Sequence, residues 1–271
     1  MKFILDYLQR FVSKSSLLVW LFVKIRNQAN KIIGYHICYD HFGALNGEDL
    51  LLKTIIRHEP KTIFDVGANK GDWAAFFLSS KEWNGKIIMI EPGVFAFDKI
   101  LSRFGGDDRA LAFNIGFSNC MGYATFYEEL SGGEKSSFLQ VQTVHAEPRE
   151  SVQIQTVDYF ISQNNLSEID LLKIDCEGLD FNVVRGASEM LKIGKIKVIQ
   201  FEYSRDWVVS GNTLKACFRF FEDFGYSVYL LSNKGLKSFP IDYYGEFFSY
   251  ANFVAVHPDA VSMVKDIILE K

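Results

Sequence analysis

The stretch Asp170-Leu171-Leu172-Lys173-Ile174-Asp175-Cys176-Glu177-Gly178 is apolar, yet it carries charge at every second position from 173. In a strand the side chains alternate between faces, so Lys173, Asp175 and Glu177 beyond them fall on one side. Charge inside a buried strand is costly unless it is paired or used, and acid–base chemistry is therefore expected here. A structural Lys173–Asp175 ion pair with Glu177 capping the next helix would account for some of these charges, but not for their position at a strand end. The later run Lys197–Tyr203 ends in another carboxylate, Glu202, which lies beside Asp175 if the two strands are neighbours. Asp175 is the first candidate for a general base, followed by Glu202, Glu177 and His145. Lys173 would keep the acidic cluster ionised or orient an acceptor. A hard cation held by Asp175, Glu177 and Glu202 is an alternative, but no spacing demands a metal.

A second constellation could hold a nucleoside. Ile63-Phe64-Asp65-Val66-Gly67-Ala68-Asn69-Lys70-Gly71 is an apolar strand running into a glycine-bearing turn, followed by a helical pattern. Such a turn lets the backbone approach a ligand closely. A dinucleotide fingerprint would need glycines at 67, 69 and 72. Asn69 and Asp72 stand there instead, and an acidic Asp72 would repel a pyrophosphate. The turn suits a nucleoside without phosphates, a description that S-adenosylmethionine meets; a contact to the methionine end of that donor is then the alternative role for Asp175. The next apolar strand ends in Glu91-Pro92, 20 residues after Gly71, where a carboxylate would accept hydrogen bonds from both ribose hydroxyls; the alternative is a cap for the helix near Val94. The strand after that ends at Asn114-Ile115-Gly116, the natural place for an adenine contact. Ser136, Ser137 and His145 lie in a long connection and are the candidate acceptor-binding residues, although a lone histidine in such a segment is more often a surface residue.

Together these residues resemble the FkbM family of methyltransferases. The resemblance rests on D-V-G-A-N-K-G at 65–71, E-P at 91–92, Asn114, Ser136-Ser137, Thr156-Val157-Asp158, K-I-D-C-E-G at 173–178, Gly186 and Glu202. It covers roughly residues 60 to 205. It implies a class I methyltransferase fold with a Rossmann-like sheet of about seven strands, S-adenosylmethionine as donor, and a hydroxyl acceptor on a sugar, glycan precursor or related metabolite. Leu179 stands where the family usually has a small residue, and residues 1–60 and 206–271 match nothing nameable. Two rivals follow from the residues alone: an NAD-dependent oxidoreductase, disfavoured by the missing glycines, and a non-catalytic sugar- or nucleotide-binding protein on the same fold.

Positioning such residues requires an α/β fold with a mostly parallel central sheet flanked by helices. From Thr62 onward, short apolar runs alternate with helical patterns, as βαβ units do. Strands are expected near 62–66, 86–91, 110–117, 169–175, 196–203, 226–231 and 250–256, and helices near 71–80, 94–104, 155–164, 179–192, 211–224 and 258–270. Residues 118–153 interrupt the alternation with glycines and Pro148, and read as an insertion folded over one sheet edge to help form the acceptor site. The expected organisation is a helical extension over 1–60, with Asn46 as an N-cap, and a Rossmann-like domain over 61–271.

The remaining properties narrow the partners. The 271 residues are 48% hydrophobic with a net charge of −4, enough for one large core and no basis for nucleic-acid binding. Cys38, Cys120, Cys176 and Cys217 are irregularly spaced and read as reduced thiols. The apolar run Leu17–Val23 is too short for a transmembrane segment, and no small-residue cleavage site follows it, so a cytoplasmic location is expected. The N-terminal helical segment should pack on the domain or, as a homo-oligomer contact, on a second subunit. Basic flanks around Trp20 and Phe22 keep peripheral membrane contact as the alternative.

Overall fold

The computed structural model describes residues 2–37, 43–129, 136–140 and 146–269. Its strands are β1 (Thr62–Val66), β2 (Lys86–Ile90), β3 (Ala110–Phe113), β4 (Gly116–Phe117), β5 (Gly122–Glu129), β6 (Ala146–Gln155), β7 (Ile169–Ile174), β8 (Ile196–Tyr203), β9 (Ser227–Ser232), β10 (Gly235–Ser238) and β11 (Ala251–Val256). Eight of them form one sheet in the order β10-β9-β11-β8-β7-β1-β2-β3. Every pairing from β8 across to β3 is parallel, while β11 runs antiparallel to both β8 and β9. The expected mostly parallel sheet therefore carries one extra strand. β10 is a short hairpin partner of β9, joined through Asn233-Lys234, and four residues are too few to show a period.

Strands buried on both faces read as unbroken apolar runs, and all six residues of β7 and of β11 are buried. Phe64, Leu172, Ile199 and Phe253 enter the core on one side; Ile63, Leu171, Val198 and Val254 enter the core on the other. From β1 the chain builds outward to β2 and β3, then returns to the opposite side of β1 as β7. That reversal opens a crevice at the carboxyl ends of β1 and β7, the usual ligand position in such sheets.

Several boundaries differ from the sequence reading. The run 110–117 breaks at Asn114-Ile115, so β4 leaves the main sheet and joins a separate three-stranded sheet, β4-β6-β5, built by the insertion. The helix expected over 71–80 is regular only at Ala75–Ser79. The one expected over 179–192 is two helices, Asp180–Arg185 and Ser188–Lys192, parted at Gly186, where any side chain would strike the carbonyl of Ser118. The segment 258–270 forms three short turns, Pro258–Ala260, Val261–Val264 and Lys265–Ile267. Asn46 is not a cap residue: Gly47 holds that place at φ 95°, and Asn46 Oδ1 accepts the Glu48 N–H at 3.0 Å. The helix Glu48–Ile55 buries Leu51, Leu52 and Ile55 in the main core.

Two helices precede it, α1 (Lys2–Val12) and α2 (Ser16–His36). Among the described residues, the expected packing on the domain is confined to the end of α2, through the buried Gly34, through His36, whose ring stacks on Tyr244 at 6.3 Å, and through Ile37 just beyond the helix. Among the described residues, no helix is long and apolar enough to cross a membrane.

Candidate active site

Strand register brings the chemistry-bearing residues into one row. Val66 pairs with Ile90 of β2 and Ile174 of β7, and Ile174 pairs with Phe201 of β8. The next residue on each strand is Glu91, Gly67, Asp175 or Glu202, and Asn252 of β11 pairs with Glu202. At about 4.8 Å per strand, the row from Glu91 to Glu202 spans roughly 14 Å. Two residues deeper, Asp65, Lys173 and Gln200 pair across β1, β7 and β8. Members of both rows line a cleft of about 640 Å³, a volume suited to one small molecule beside another.

At one end of the cleft the chain turns through Gly67 (φ 77°), Ala68, Asn69 (φ 48°) and Gly71 (φ 76°). A Cβ at Gly67 would overlap the carbonyl of Asp175, so only glycine lets the β1 and β7 ends approach this closely. Glu91 is 5% exposed, with Oε2 accepting the Asn69 N–H and Oε1 the Gly93 N–H, both at 2.7 Å. Burial outweighs these two bonds and raises its carboxyl to about 7. Glu91 thus ties the glycine turn to the approach of the helix Val94–Phe104. The cap on that helix comes from elsewhere, since Glu128 of β5 accepts the Phe95 N–H at 2.8 Å. Pro92 lines the cleft, whereas Asn114 and Ile115 are not among the described residues lining it. Asn114 Nδ2 instead donates to the carbonyls of Glu91 (2.8 Å) and Pro92 (3.0 Å), which shapes the loop from behind. The apolar wall is formed by Phe117, Phe126 and Phe138.

At the other end, Lys173 Nζ lies 3.3 Å from Asp65 Oδ1 and 3.3 Å from Asp175 Oδ2. Asp65 is fully buried and makes no directed hydrogen bond among the described residues, so the lysine charge is what compensates it. Burial raises the Asp65 carboxyl; burial also pulls Lys173 down, but Asp65 and Asp175 outweigh that and lift it well above the usual lysine range. Burial, followed by the charges of Asp175, Glu177 and Asp180, pushes Glu202 well above the carboxylate range. Glu177 does not cap the next helix, which has no side-chain cap. It sits at φ 49°, uncommon for a residue with a side chain, and its carbonyl accepts the Ser137 hydroxyl at 3.3 Å. Ser136 Oγ accepts the Glu129 N–H at 3.0 Å. Both serines line the cleft and fasten the insertion around it; His145 lies outside the described residues.

The cleft residues that escaped the sequence reading include the apolar wall and a polar set, Glu48, Gln200, Tyr250 and Asn252. Gln200 Nε2 donates to Glu48 Oε1 at 2.5 Å, and Asn46 Nδ2 donates to Glu48 Oε2 at 3.1 Å and to the Tyr250 hydroxyl at 2.9 Å. Asn252 Nδ2 also donates to the Tyr250 hydroxyl, at 3.0 Å. Gln200 and Asn252 do carry a signal, as lone polar residues in apolar strands. Glu48 carries none, because its partner Gln200 is 152 positions away. Seven carboxyl groups and two lysines line the cleft; even with the raised Glu91 and Glu202 protonated, five carboxylates outnumber the two lysines, so it repels a pyrophosphate and favours neutral or cationic ligands.

Parts of this chain are similar to known proteins. The chain is 25% identical over 171 residues to the 2-O-methyltransferase NoeI of Sinorhizobium fredii (strain NBRC 101917 / NGR234), covering 58% of this chain and 69% of that protein. Among solved structures it is similar to Methyltransferase FkbM from Methylobacillus flagellatus KT, at 14% identity and a TM-score of 0.45, over 72% of this chain and 44% of that one. It is also similar to the O-methyltransferase from Bacillus cereus in complex with SAH, at 12% identity and a TM-score of 0.41, over 84% and 87% of the two chains. The chain thus spans less than half the length of the M. flagellatus protein. The family model described as Methyltransferase FkbM domain matches residues 65–228. That match takes in more than half of the chain, from the glycine turn through the Lys173–Asp175–Glu202 cluster, and the chain belongs to the FkbM methyltransferase family.

Proposed function

We propose that this protein transfers a methyl group from S-adenosylmethionine to a hydroxyl of a neutral, sugar-like acceptor. The observation that carries this reading is the row Glu91–Gly67–Asp175–Glu202 along one acidic cleft. Gly67 lets the ends of β1 and β7 close up beneath the turn, Glu91 keeps lone pairs for ribose hydroxyls beyond its two N–H bonds, and Phe117 and Phe138 offer flat apolar contact to a base. A net cationic sulfonium ligand suits a cleft whose carboxylates outnumber its lysines, whereas a dinucleotide pyrophosphate does not.

When bound, S-adenosylmethionine supplies an already activated methyl group. The acceptor oxygen attacks that carbon, the carbon–sulfur bond breaks toward sulfur, and the hydroxyl proton passes to a carboxylate at the Asp175–Glu202 end. Alignment of donor and acceptor provides most of the acceleration, and proton removal a further part. Lys173 holds Asp175 and Asp65 in place through its two 3.3 Å contacts. The relative named as a 2-O-methyltransferase supports oxygen as the nucleophile. The acceptor side, with Glu48, Gln200, Glu202, Tyr250 and Asn252, presents more hydrogen-bond acceptors than donors, which suits a ligand rich in hydroxyl donors and repels phosphate. Glu48, Tyr250 and Asn252 lie outside the family match, so acceptor choice is assigned to this chain's own flanking segments.

Calorimetry with S-adenosylhomocysteine, followed by mass spectrometry of neutral glycosides and sugar phosphates incubated with donor, tests the reading. Binding and a methyl-sized mass gain on neutral sugars are expected. Glu91→Ala should weaken S-adenosylhomocysteine by roughly 1–3 kcal/mol. Stabilisation by NAD but not by S-adenosylhomocysteine would overturn the donor, and methylation confined to sugar phosphates would overturn the acceptor class.

A further inference from the structure

The N-terminal helices concentrate two properties that the rest of the surface lacks. Of 31 large hydrophobic side chains exposed on the described surface, 17 lie in residues 3–35, so the apolar surface there is a patch and not scatter. In α1, Ile4, Tyr7, Leu8 and Phe11 share one face and are 68%, 70%, 52% and 65% exposed, while the Asp6–Arg10 ion pair lies on the other. In α2, the seven residues Leu17–Val23 are apolar on every face, and all are exposed, Trp20 by 57% and Phe22 by 54%. Residues 2–37 contain six Lys or Arg and one acid, a net +5, which leaves −9 on the rest of a chain whose total is −4.

We propose that α1 and α2 dock this protein on the surface of an anionic lipid bilayer, lying in the interface without spanning it. Seven helical residues rise about 10 Å, against a hydrocarbon core of about 30 Å. That length reaches the acyl boundary and no further. Lys14 and Lys24 flank the run, and Lys24 Nζ lies 5.2 Å from the Trp20 ring centroid, so cation and aromatic ring meet where headgroups would be. Charge separates the remaining candidates: a second copy would bring another +5 onto the same patch, while anionic headgroups complement it. The net −9 of the remaining chain is repelled by the same surface, which orients the molecule with its helices down.

The full chain would be sedimented with vesicles of phosphatidylcholine alone and of phosphatidylcholine with phosphatidylglycerol, at low and high salt, while its mass in solution is measured by analytical ultracentrifugation. Binding to the anionic vesicles, weakened by salt and much weaker on the neutral ones, is expected from a monomer. Lys14→Gln with Lys24→Gln should lower anionic-vesicle partitioning by roughly thirtyfold, since each cation near the surface contributes about 1 kcal/mol. Phe22→Glu should abolish binding to both vesicle types, with S-adenosylhomocysteine affinity and melting temperature unchanged because these side chains do not reach the core or the cleft. Equal binding to both vesicle types, no binding to either, or a stable dimer that Phe22→Glu dissociates would each overturn the proposal. None of these outcomes depends on the donor or acceptor being right.

Discussion

Asp175 and Glu202 stand side by side, yet the protein holds them differently. Asp175 has a side chain 36% exposed and shares Lys173 with Asp65. Glu202 is half-buried among Asp175, Glu177 and Asp180, and among the described residues it has no ion-pair partner within 4 Å. A base works best when its pKa lies near the working pH, and the raised Glu202 carboxyl is nearer to it than an ordinary glutamate. Wild-type turnover should therefore rise with pH through a limb above the usual carboxylate range. Glu202→Gln should remove that limb and lower the rate by roughly 10²–10⁴-fold. Asp175→Asn should keep the limb but move it to lower pH, because it deletes a negative charge that raises Glu202. A limb lost in Asp175→Asn and retained in Glu202→Gln would assign the base to Asp175 instead.

Elements show why some of this was legible in the sequence and some was not. Strands β1, β2, β7, β8 and β11 are buried on both faces, and each is visible as an apolar run that ends in Gly67, Glu91, Asp175 or Glu202, or begins beside Asn252. Helix limits were less legible, because close backbone approaches decide them, as at Gly186 against Ser118. Some motif residues turn out to serve the frame. Thr156 Oγ1 caps the helix Val157–Gln163 through the Tyr159 N–H at 3.1 Å, and Asp158 accepts the N–H groups of Glu189 (2.9 Å) and Met190 (3.1 Å) at the start of the helix Ser188–Lys192. The insertion was visible as an interruption, but its pairing into β4-β6-β5 was not, since Gly116–Phe117 is only two residues long. That small sheet brings Phe126 and Phe138 to the cleft with ring centroids 4.9 Å apart. If Phe138, backed by Phe126, is the base-binding wall together with Phe117, Phe138→Ala should weaken S-adenosylhomocysteine by about tenfold through lost apolar contact. An unchanged dissociation constant with lost methyl transfer would assign the wall to the acceptor alone.

Across the whole molecule, the acidic cleft couples function to stability. Asp180 is fully buried at the centre of the β7–β8 edge, where Oδ1 accepts the N–H groups of Cys176 (3.4 Å) and Glu202 (3.3 Å) and Oδ2 has no partner among the described residues. Burial first, and Asp175 next, raise its carboxyl from 3.8 to about 8. Glu91 is raised from 4.5 to about 7, mainly by burial. In both cases the folded protein holds a proton that the unfolded chain releases at lower pH. Their stabilising contribution is therefore complete below about pH 4 and is lost as pH rises toward 7 for Glu91 and 8 for Asp180. Asp180→Asn keeps an Oδ1 acceptor for both N–H groups and removes the titration. Thermal unfolding followed from pH 5 to 9 should show wild type losing stability steadily, by up to a few kcal/mol, and Asp180→Asn losing distinctly less. The variant should be the more stable protein at pH 9 and no better than wild type at pH 5. If the two curves run parallel, Asp180 is not the group that takes up a proton on folding, and the slope belongs to Glu91 and Glu202.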